Sequence, residues 1–462
     1  MKKTKLIFVA MLIATAAQSQ EFPYPRNVQF KYGFMPKTLT TEHFDAWYKS
    51  YKASNLLPEC NGGIRTYSDD SGENGLTKVE SMGWSMIIAA YMGDKSTFDG
   101  LYKFYKSKLQ GHGMMAWKVT CGGVSDGGSA SDGDLDVAYA MAVASWQWGE
   151  SYKSEAITLI NTVKRLIVNC GGTSVIAGGM AGGGVYGGCN ETDISYHTPA
   201  FFRVFAEVSG DNAWSKLADD TYTLLQNGAH PTTGLIPDWQ KLDGSASNGG
   251  RNHSYGFDAC RAPWRIALDY LWNGNEKAKA WCTKISNWAY GIGPANIRDG
   301  YSLDGRQTGS YHNMSYVGGF AVAAMCNSQE VSDAFGKHIA GMRFDNYWYH
   351  GFLGNCYLMT MTGNMWHIRD AQVKTINKRY QSNTNNSVLV KNLKNRKFEL
   401  SGIVNGSSVT LTTLQGQLAK KMNITGQQKC LLDLSSLENG CYILSVHEKN
   451  SKAGMRQIIS IF

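Results

Sequence analysis

The stretch GSASDGDLDVAYAMAVASWQW, residues 128–148, joins acidic residues at its start to a long apolar run. The apolar residues recur at the spacing of a helix. Asp132 and Asp134 stand where a helix begins, and acidic side chains are favoured there as caps or in the first turn. The alternating acids also resemble the start of a calcium loop. Val137 and Val143 occupy the positions that need a glycine and a bidentate glutamate, so we exclude an EF-hand.

The same helical spacing recurs in about a dozen segments before residue 367. Loops rich in Gly, Asp, Ser and Asn separate these segments, and convincing strands are nearly absent between them. The pattern predicts an all-α domain with long glycine-rich loops at the helix ends, where binding and catalytic sites are commonly built. Examples of the helical segments are residues 44–54, 80–92, 156–168, 258–272 and 357–366.

Charge is distributed unevenly along the 462 residues, whose formal net charge is +8. The first five residues carry +3 and residues 374–462 carry +9, which leaves −4 for residues 21–373. A mildly acidic main domain does not fit a nucleic-acid-binding protein, because such proteins need a basic surface. We therefore expect no nucleic-acid partner.

The first twenty residues, MKKTKLIFVAMLIATAAQSQ, have a basic start, an apolar run and small residues near their end. This pattern is typical of a secretory signal peptide, and its apolar run is too short for a permanent membrane span. No later stretch is apolar for long enough either, so we predict an exported protein without a membrane span. We also expect it to be a monomer.

Ten cysteines therefore lie in a compartment where disulfides persist. Cys430 and Cys441 are candidates to pair with each other, while the others are either paired or buried free thiols. No CxxC or Cys/His spacing indicates a metal site. Residues 182–187 match GxGxxG, but no strand precedes them, so they predict a loop and not a nucleotide site. We expect neither a metal nor a cofactor.

The composition changes near residues 370–385, because all 13 tryptophans lie between Trp47 and Trp366. The following runs are short, β-branched or aromatic, and broken by turn residues, which predicts a small β-sandwich. We therefore predict four parts: a signal peptide (1–20), a catalytic domain (21–373), a polar linker (374–386) and a β-rich C-terminal domain (387–462).

Three acidic helix starts lie close in sequence to aromatic residues. Glu80 opens the apolar segment ESMGWSMIIAAYM, and such neighbours desolvate a carboxyl group and raise its pKa. Asp132 opens a second helix, and Asp258 opens a third with Arg261 three residues further on. Each acid taken singly is better explained as a helix cap. Taken together with Trp84, Trp117, Trp239 and Trp264, they indicate a sugar cleft with paired carboxylates.

These stretches resemble glycoside hydrolase family 8. Residues 128–148 are similar to the family's signature, and VESMGWSM (79–86) is similar to its glutamate segment. The resemblance implies an (α/α)6 barrel of six inner and six outer helices, and inverting hydrolysis of β-1,4-linked chains. Further similar blocks follow in the family's order: MMAWKV (114–119), SYHTPAFFRVF (195–205), GLIPDW (234–239), YGFDACRAPWRIALDYLW (255–272) and WYHGFLGNCYLMTMTGNMW (348–366).

The resemblance also implies roles for individual residues. Glu80 matches the general acid, Asp258 the general base, and Asp132 the acid that contacts the sugar at the cleavage point. Arg261 would keep Asp258 ionised, since an adjacent cation favours a carboxylate. Five aromatic residues complete the predicted substrate-binding set, with Tyr196 near the catalytic water: Trp84, Trp117, Tyr196, Trp239 and Tyr349.

The tail from about residue 383 resembles the C-terminal sorting domain of type IX secretion substrates, on the stretches LENGCYILSV and RQIISIF. This resemblance implies that the secretion machinery is a partner of the protein. A carbohydrate-binding module is the alternative, but the tail offers only Tyr442, with Tyr380 at its edge, and no tryptophan to stack on sugars.

The sequence thus predicts a secreted or cell-surface endo-acting hydrolase of β-1,4-glucan, either cellulose-like or mixed-linkage. Xylanase and chitosanase activities of the same family are the alternatives. A non-catalytic glycan-binding surface protein is the alternative from another class, and the retention of Glu80, Asp132 and Asp258 argues against it.

Overall fold

The structure is a computed structural model. It describes residues 21–68, 75–345, 347–370 and most of 389–461, apart from gaps at 394–396, 402, 404, 414–416, 426–428, 438–439 and 448–453. The predicted signal peptide and the predicted linker lie outside the described residues. The chain divides into two compact units, with the boundary after residue 366.

Twelve α-helices lie wholly within the described part of the first unit. They are α1 (Thr41–Asn55), α2 (Val79–Met92), α3 (Lys95–Ser107), α4 (Ser131–Trp148), α5 (Glu150–Val163), α6 (Pro199–Ser209), α7 (Ala213–Gly228), α8 (Ala262–Asn273), α9 (Glu276–Ile292), α10 (Met314–Ala324), α11 (Gln329–Ala340) and α12 (Trp348–Met361).

The even-numbered helices form a closed inner ring. Contacts run from α2 to α4, α6, α8, α10 and α12 in turn, and α12 contacts α2 again. The odd-numbered helices pack outside this ring, each against an inner neighbour. The prediction of an all-α (α/α)6 barrel is confirmed.

The sequence of each helix explains its layer. Inner helix α2 is buried along nearly its whole length and is apolar on all sides, as a helix enclosed by others must be. Outer helix α3 is amphipathic: it buries Phe98, Leu101 and Tyr105 and exposes Lys103 and Lys106. Because outer helices return the chain, all six inner helices begin at the same end of the barrel. The loops that lead into them gather there.

Several of these loops form short hairpins that the sequence pattern did not predict. Nine strands of two to four residues occur in the described part of the first unit. They are β1 (Leu56–Leu57), β2 (Arg65–Thr66), β3 (Thr77–Lys78), β4 (Lys118–Val119), β5 (Val124–Asp126), β6 (Ile167–Cys170), β7 (Thr173–Ile176), β8 (Gly179–Ala181) and β9 (Gly184–Tyr186).

Four cysteines in these loops form disulfides, Cys60–Cys121 and Cys170–Cys189. Free thiols are buried at Cys260, Cys282, Cys326 and Cys356. Cys430 also carries a free thiol, so its predicted pairing is not formed, and the side chain of Cys441 lies outside the described residues.

The second unit contains two antiparallel sheets, ordered β10-β11-β14 and β13-β12-β15-β16. Its buried side chains, which include Phe398, Leu411 and Leu444, form one apolar core. The predicted small β-sandwich is confirmed. Its strands are β10 (Leu389–Leu393), β11 (Lys397–Ser401), β12 (Ser408–Thr413), β13 (Leu418–Asn423), β14 (Lys429–Asp433), β15 (Gly440–His447) and β16 (Gly454–Ile461).

Helices α2 and α4 approach each other through two glycines. A Cβ added to Gly133 would lie 2.6 Å from the carbonyl carbon of Val79 and 2.7 Å from the backbone nitrogen of Glu80. A Cβ on Gly83 would lie 2.8 Å from the carbonyl oxygen of Gly133. Glycine is therefore required at this crossing, and the crossing brings the start of α2 against the start of α4.

We expect Gly133→Ala to lower the free energy of unfolding by about 1–3 kcal/mol, because the added methyl group overpacks a backbone contact. Thermal unfolding measures the change. Gly291→Ala is the matched control: Gly291 lies in α9 with nothing within 4 Å of an added Cβ, so the alanine should be neutral or stabilising. Equal melting temperatures for Gly133→Ala and the unmodified protein would contradict the close crossing.

Candidate active site

The guanidinium group of Arg261 lies at the centre of the end where the inner helices begin. It is 2% exposed and contacts three carboxylates. Its Nη1 donates to Oδ2 of Asp132 at 2.6 Å, and its Nη2 donates to Oδ1 of Asp258 at 2.9 Å and to Oδ2 of Asp193 at 3.1 Å. These charge-assisted bonds join the start of α4 to the loops that precede α6 and α8.

A second ion pair repeats this arrangement one helical turn further along both helices. Arg265 donates from Nη1 and Nη2 to the two carboxylate oxygens of Asp136, each at 2.7 Å. Nη1 of Arg265 also donates to the hydroxyl of Thr198 at 2.9 Å. Two pairs four residues apart fix the axial position of α4 against α8.

Glu80 lies at the start of α2, beside Asp132. Burial and the negative charge of Asp132 raise the pKa of Glu80 to about 8. Among the described residues, nothing offers a hydrogen bond to Oε2 of Glu80 or to Oδ1 of Asp132, although both atoms are buried. Native proteins rarely bury such oxygens without partners, so both are available to a bound ligand. Glu80 is therefore protonated at neutral pH and able to donate a proton.

Asp258 is more open to solvent, with 38% of its side chain exposed. Its Oδ1 accepts from Arg261, and its Oδ2 accepts from Nε1–H of Trp239 at 2.9 Å. The two donors hold the Asp258 carboxylate in a fixed orientation. The three-residue spacing from Asp258 to Arg261 predicts that the two side chains interact, and the structure shows this contact.

Tyr196 is buried beside this network. The guanidinium carbon of Arg261 lies 5.5 Å from the centre of its ring, and the ring of Trp239 packs edge-on at 5.5 Å. Burial and the nearby charges of Asp132 and Asp258 raise the pKa of Tyr196 well above its usual range. Its hydroxyl group therefore keeps its proton and can act as a hydrogen-bond donor.

The predicted aromatic residues lie in different surroundings. Trp117 is half-buried, and its backbone bonds to Val79 and Gly128 hold it beside the start of α2. Trp239 is 5% exposed and uses its N–H on Asp258. Tyr349 is buried, and its hydroxyl donates to the carbonyl oxygen of Phe257.

Trp84 does not fit its predicted role in sugar binding. It has no exposed surface, because its ring packs against Trp348, Tyr349 and Phe352 where α2 meets α12. No face of the ring can stack on a sugar. We assign Trp84 to the packing of the inner ring of helices.

The family model described as "Glycosyl hydrolases family 8" matches residues 7–351. This match covers most of the chain and includes every residue of the Arg261 network. The protein belongs to glycosyl hydrolase family 8. It is therefore a glycoside hydrolase, as the sequence predicts.

Curated and solved members of the family are similar over most of their length. Endoglucanase 2 of Ruminiclostridium josui is 31% identical over 377 residues, which cover 78% of this chain and 81% of the relative. The beta-glucanase of Niallia circulans is 30% identical, covering 78% and 95%. The solved β-1,3-1,4-glucanase of Paenibacillus sp. X4 has a TM-score of 0.69 at 27% identity, covering 75% and 100%.

The tail matches a second model, "Secretion system C-terminal sorting domain", over residues 394–460. This match confirms the predicted sorting domain and places this family 8 hydrolase outside the cytoplasm, secreted or at the cell surface. Among the described helices, none is long and apolar enough to cross a bilayer.

Sequence reasoning about this family 8 hydrolase missed several carboxylates that shape the site. Asp193 and Asp238 lie in loops, where no periodicity marks them as buried. Asp134 was interpreted as a helix cap, but it accepts bonds from the hydroxyl of Tyr105 at 2.7 Å and the backbone of Met115 at 3.1 Å. It thereby anchors the segment that carries Trp117.

In the described part of the enzyme, one group of side chains has the geometry to share a metal ion: Glu59, Cys60 and Cys121. The two cysteine sulfurs are joined as a disulfide, so they are not thiolate ligands.

We expect Glu80→Gln to stabilise the enzyme more at pH 8.5 than at pH 5. Because its pKa is raised, Glu80 contributes stability that is fully present below about pH 4.5 and lost as the pH rises through about 8. Glutamine has no such dependence. Melting temperatures of both proteins at the two pH values measure the difference.

Glu150→Gln is the matched control, since 87% of the Glu150 side chain is exposed. It should shift the melting temperature equally at both pH values. A Glu80→Gln difference that does not grow with pH would contradict a protonated Glu80.

Proposed function

We propose that the protein hydrolyses β-1,4-linked glucan within the chain, with inversion at the anomeric carbon. Glu80 acts as the general acid and Asp258 as the general base. The observation that carries the proposal is the contrast between these two carboxyl groups. Glu80 has a buried carboxyl oxygen and no ion pair among the described contacts, whereas Asp258 is paired with Arg261 and has 38% of its side chain exposed. A general acid and a general base need different environments, because at the same pH the acid must hold a proton and the base must lack one.

The bond-breaking step uses the buried proton. Glu80 donates it to the glycosidic oxygen as the bond from that oxygen to the anomeric carbon breaks. Positive charge then develops on the sugar ring. Asp132 lies next to Glu80, and its unpartnered Oδ1 can accept a bond from a sugar hydroxyl and stabilise that charge.

The bond-forming step uses Asp258 on the opposite face of the sugar. Its carboxylate takes a proton from the attacking water as the oxygen bonds to the anomeric carbon. The Tyr196 hydroxyl can donate to the same water. Asp258 is open to solvent, so the proton that it has taken can pass to water, and Glu80 regains a proton for the next turnover.

Exposed aromatic surface beside the acids supports a sugar substrate. Phe257, the neighbour of Asp258, is 42% exposed, and its ring packs edge-on against Tyr349 at 5.8 Å. Trp117 presents a half-buried ring on the side of Glu80. Rings on both sides of the carboxyl pair suit an extended chain that continues in both directions, which is the requirement of endo action.

The relatives named as an endoglucanase, a beta-glucanase and a β-1,3-1,4-glucanase favour glucan over xylan or chitosan. We further propose that the enzyme acts as a monomer, that residues 374–386 link its two units, and that the secretion machinery recognises the tail.

We predict the highest rate of reducing-sugar release on barley β-glucan or carboxymethylcellulose, compared with xylan and chitosan. NMR of the first product should show the α anomer.

Three variants sharpen this test. Glu80→Gln and Asp258→Asn should each reduce kcat by about 10²–10⁴-fold. Asp269→Asn is the control. It removes a buried carboxylate that pairs with Arg203 and lies about two helical turns beyond Arg261. It should lower the melting temperature and leave kcat unchanged. A β anomer as first product, or turnover retained in Asp258→Asn, would contradict the mechanism, and preferred hydrolysis of xylan would contradict the substrate.

The tail should be dispensable for catalysis. A chain that ends at residue 375 should keep its kcat and KM on soluble cello-oligosaccharides and on polymer, because the catalytic residues all lie in the first unit. A polymer-specific rise in KM would instead identify the tail as a carbohydrate-binding module.

A further inference from the structure

A single buried carboxylate organises the backbone around Asp258. Oδ1 of Asp238 accepts three backbone N–H groups, from Gly256 at 2.9 Å, Asp258 at 3.1 Å and Ala259 at 2.7 Å. The donors lie on both sides of Asp258 in the chain. Asp238 therefore holds the peptide units that carry the Asp258 side chain.

The other contacts of Asp238 extend this arrangement. Its Oδ2 accepts from Nδ2 of Asn252 at 2.5 Å, and its backbone N–H donates to the carbonyl oxygen of Ser254 at 2.9 Å. The side chain is buried. Residues 251–257 belong to no helix or extended strand, so no regular ladder of hydrogen bonds fixes them. Backbone bonds between Tyr255 and Tyr301 and from Trp239 to Asn252 hold the rest of this segment, and the Asp238 carboxylate holds the turn at residues 256–259.

The next residue completes the contact with Asp258. Nε1–H of Trp239 donates to Oδ2 of Asp258 at 2.9 Å. Asp238 thus holds the backbone around Asp258, and its neighbour Trp239 holds the carboxylate of Asp258. There is no spare room in this loop, because a Cβ added to Gly256 would lie 2.2 Å from Oδ2 of Asp238.

We propose that Asp238 is the positioning residue for the general base: it fixes the backbone on both sides of Asp258 and so aims its carboxylate at the catalytic water. The inference rests on the proposed function, since it takes Asp258 as the base. Asp238 does not contact the sugar in this account. Its effect reaches the reaction only through Asp258.

The property that matters is the acceptor oxygen and not the negative charge. Burial and the charge of Asp258 raise the pKa of Asp238 to about 7, so the group is partly protonated at neutral pH. Oδ1 can accept the three N–H groups in either protonation state, and so can the amide oxygen of an asparagine. Alanine provides no acceptor and leaves three buried donors unpaired.

We therefore expect Asp238→Ala to lower kcat by roughly 10- to 100-fold, the usual cost of displacing a catalytic group by about 1 Å. KM should stay within about threefold, because no sugar contact is removed. Asp238→Asn should restore most of the lost kcat. Asp269→Ala is the matched control for losing a buried carboxylate, and it should reduce stability without this loss of kcat.

An azide-rescue experiment distinguishes a role of Asp238 that acts through Asp258 from a general effect of Asp238 on the structure. In Asp258→Gly, azide ion attacks the anomeric carbon directly while Glu80 protonates the departing oxygen, and the product is a glycosyl azide of inverted configuration. Azide carries no proton that a base must remove. Adding Asp238→Ala to Asp258→Gly should therefore change the azide-supported rate on cellohexaose by less than about twofold.

Three results would overturn the inference: kcat of Asp238→Ala within about twofold of the unmodified enzyme, no recovery in Asp238→Asn, or an azide-supported rate that falls as far as kcat does. If Asp238→Ala does not fold, Gly256→Ala disturbs the same contacts from the opposite side and should reproduce the loss of kcat at unchanged KM. Normal kcat in Gly256→Ala would then overturn it. Full turnover of Asp258→Gly without azide would instead contradict the proposed function itself.

Discussion

The ion pairs between Arg261 and three buried or half-buried aspartates are the interaction on which the active site depends. Asp132, Asp193 and Asp258 come from separate parts of the chain, and one guanidinium group contacts them all. Without that cation, three negative charges would lie close together with little solvent to screen them. Removing one partner of a buried ion pair typically costs about 3–5 kcal/mol, so this contact fixes the relative positions of three loops and helices.

The same constraint explains why the proposed acid and the proposed base differ in their surroundings. Arg261 contacts Asp258 and Asp132 directly but forms no ion pair with Glu80 in the described structure. Glu80 is thus left beside the charge of Asp132 and desolvated by the surrounding protein, so its neutral form is favoured. The site has more carboxyl groups than cations, and Glu80, one of the carboxyl groups without an ion pair among the described residues, holds the proton that we propose the reaction uses.

Much of this arrangement is predictable from the sequence, because it follows from periodicity and from short motifs. The sequence alone is enough to recognise the helical segments and the β-rich tail. It also shows the acids Glu80, Asp132 and Asp258 and the spacing from Asp258 to Arg261. Their resemblance to family 8 then predicts the barrel. Gly133, inside the signature, is explained only by the structure, which shows the backbone of α2 against it.

Other features depend on contacts between distant segments, which the sequence does not show. Trp84 follows Glu80 by four residues, as a sugar-binding residue could, yet it packs against α12. Asp238 lies in the block GLIPDW, but nothing in that block indicates its role, because its partners are backbone groups about twenty residues away. The short hairpins β1–β9 are also set by loop packing at the rim of the barrel and not by a strand-like alternation of residues.

The proposed mechanism requires that Glu80 carry a proton at neutral pH in the free enzyme. A ¹³C NMR titration of the glutamate side-chain carboxyl groups tests it most directly, with Glu80→Gln used to assign the signal. We expect a midpoint near pH 8 for Glu80 in the free enzyme. A midpoint near 4.5, the ordinary value for glutamate, would contradict it.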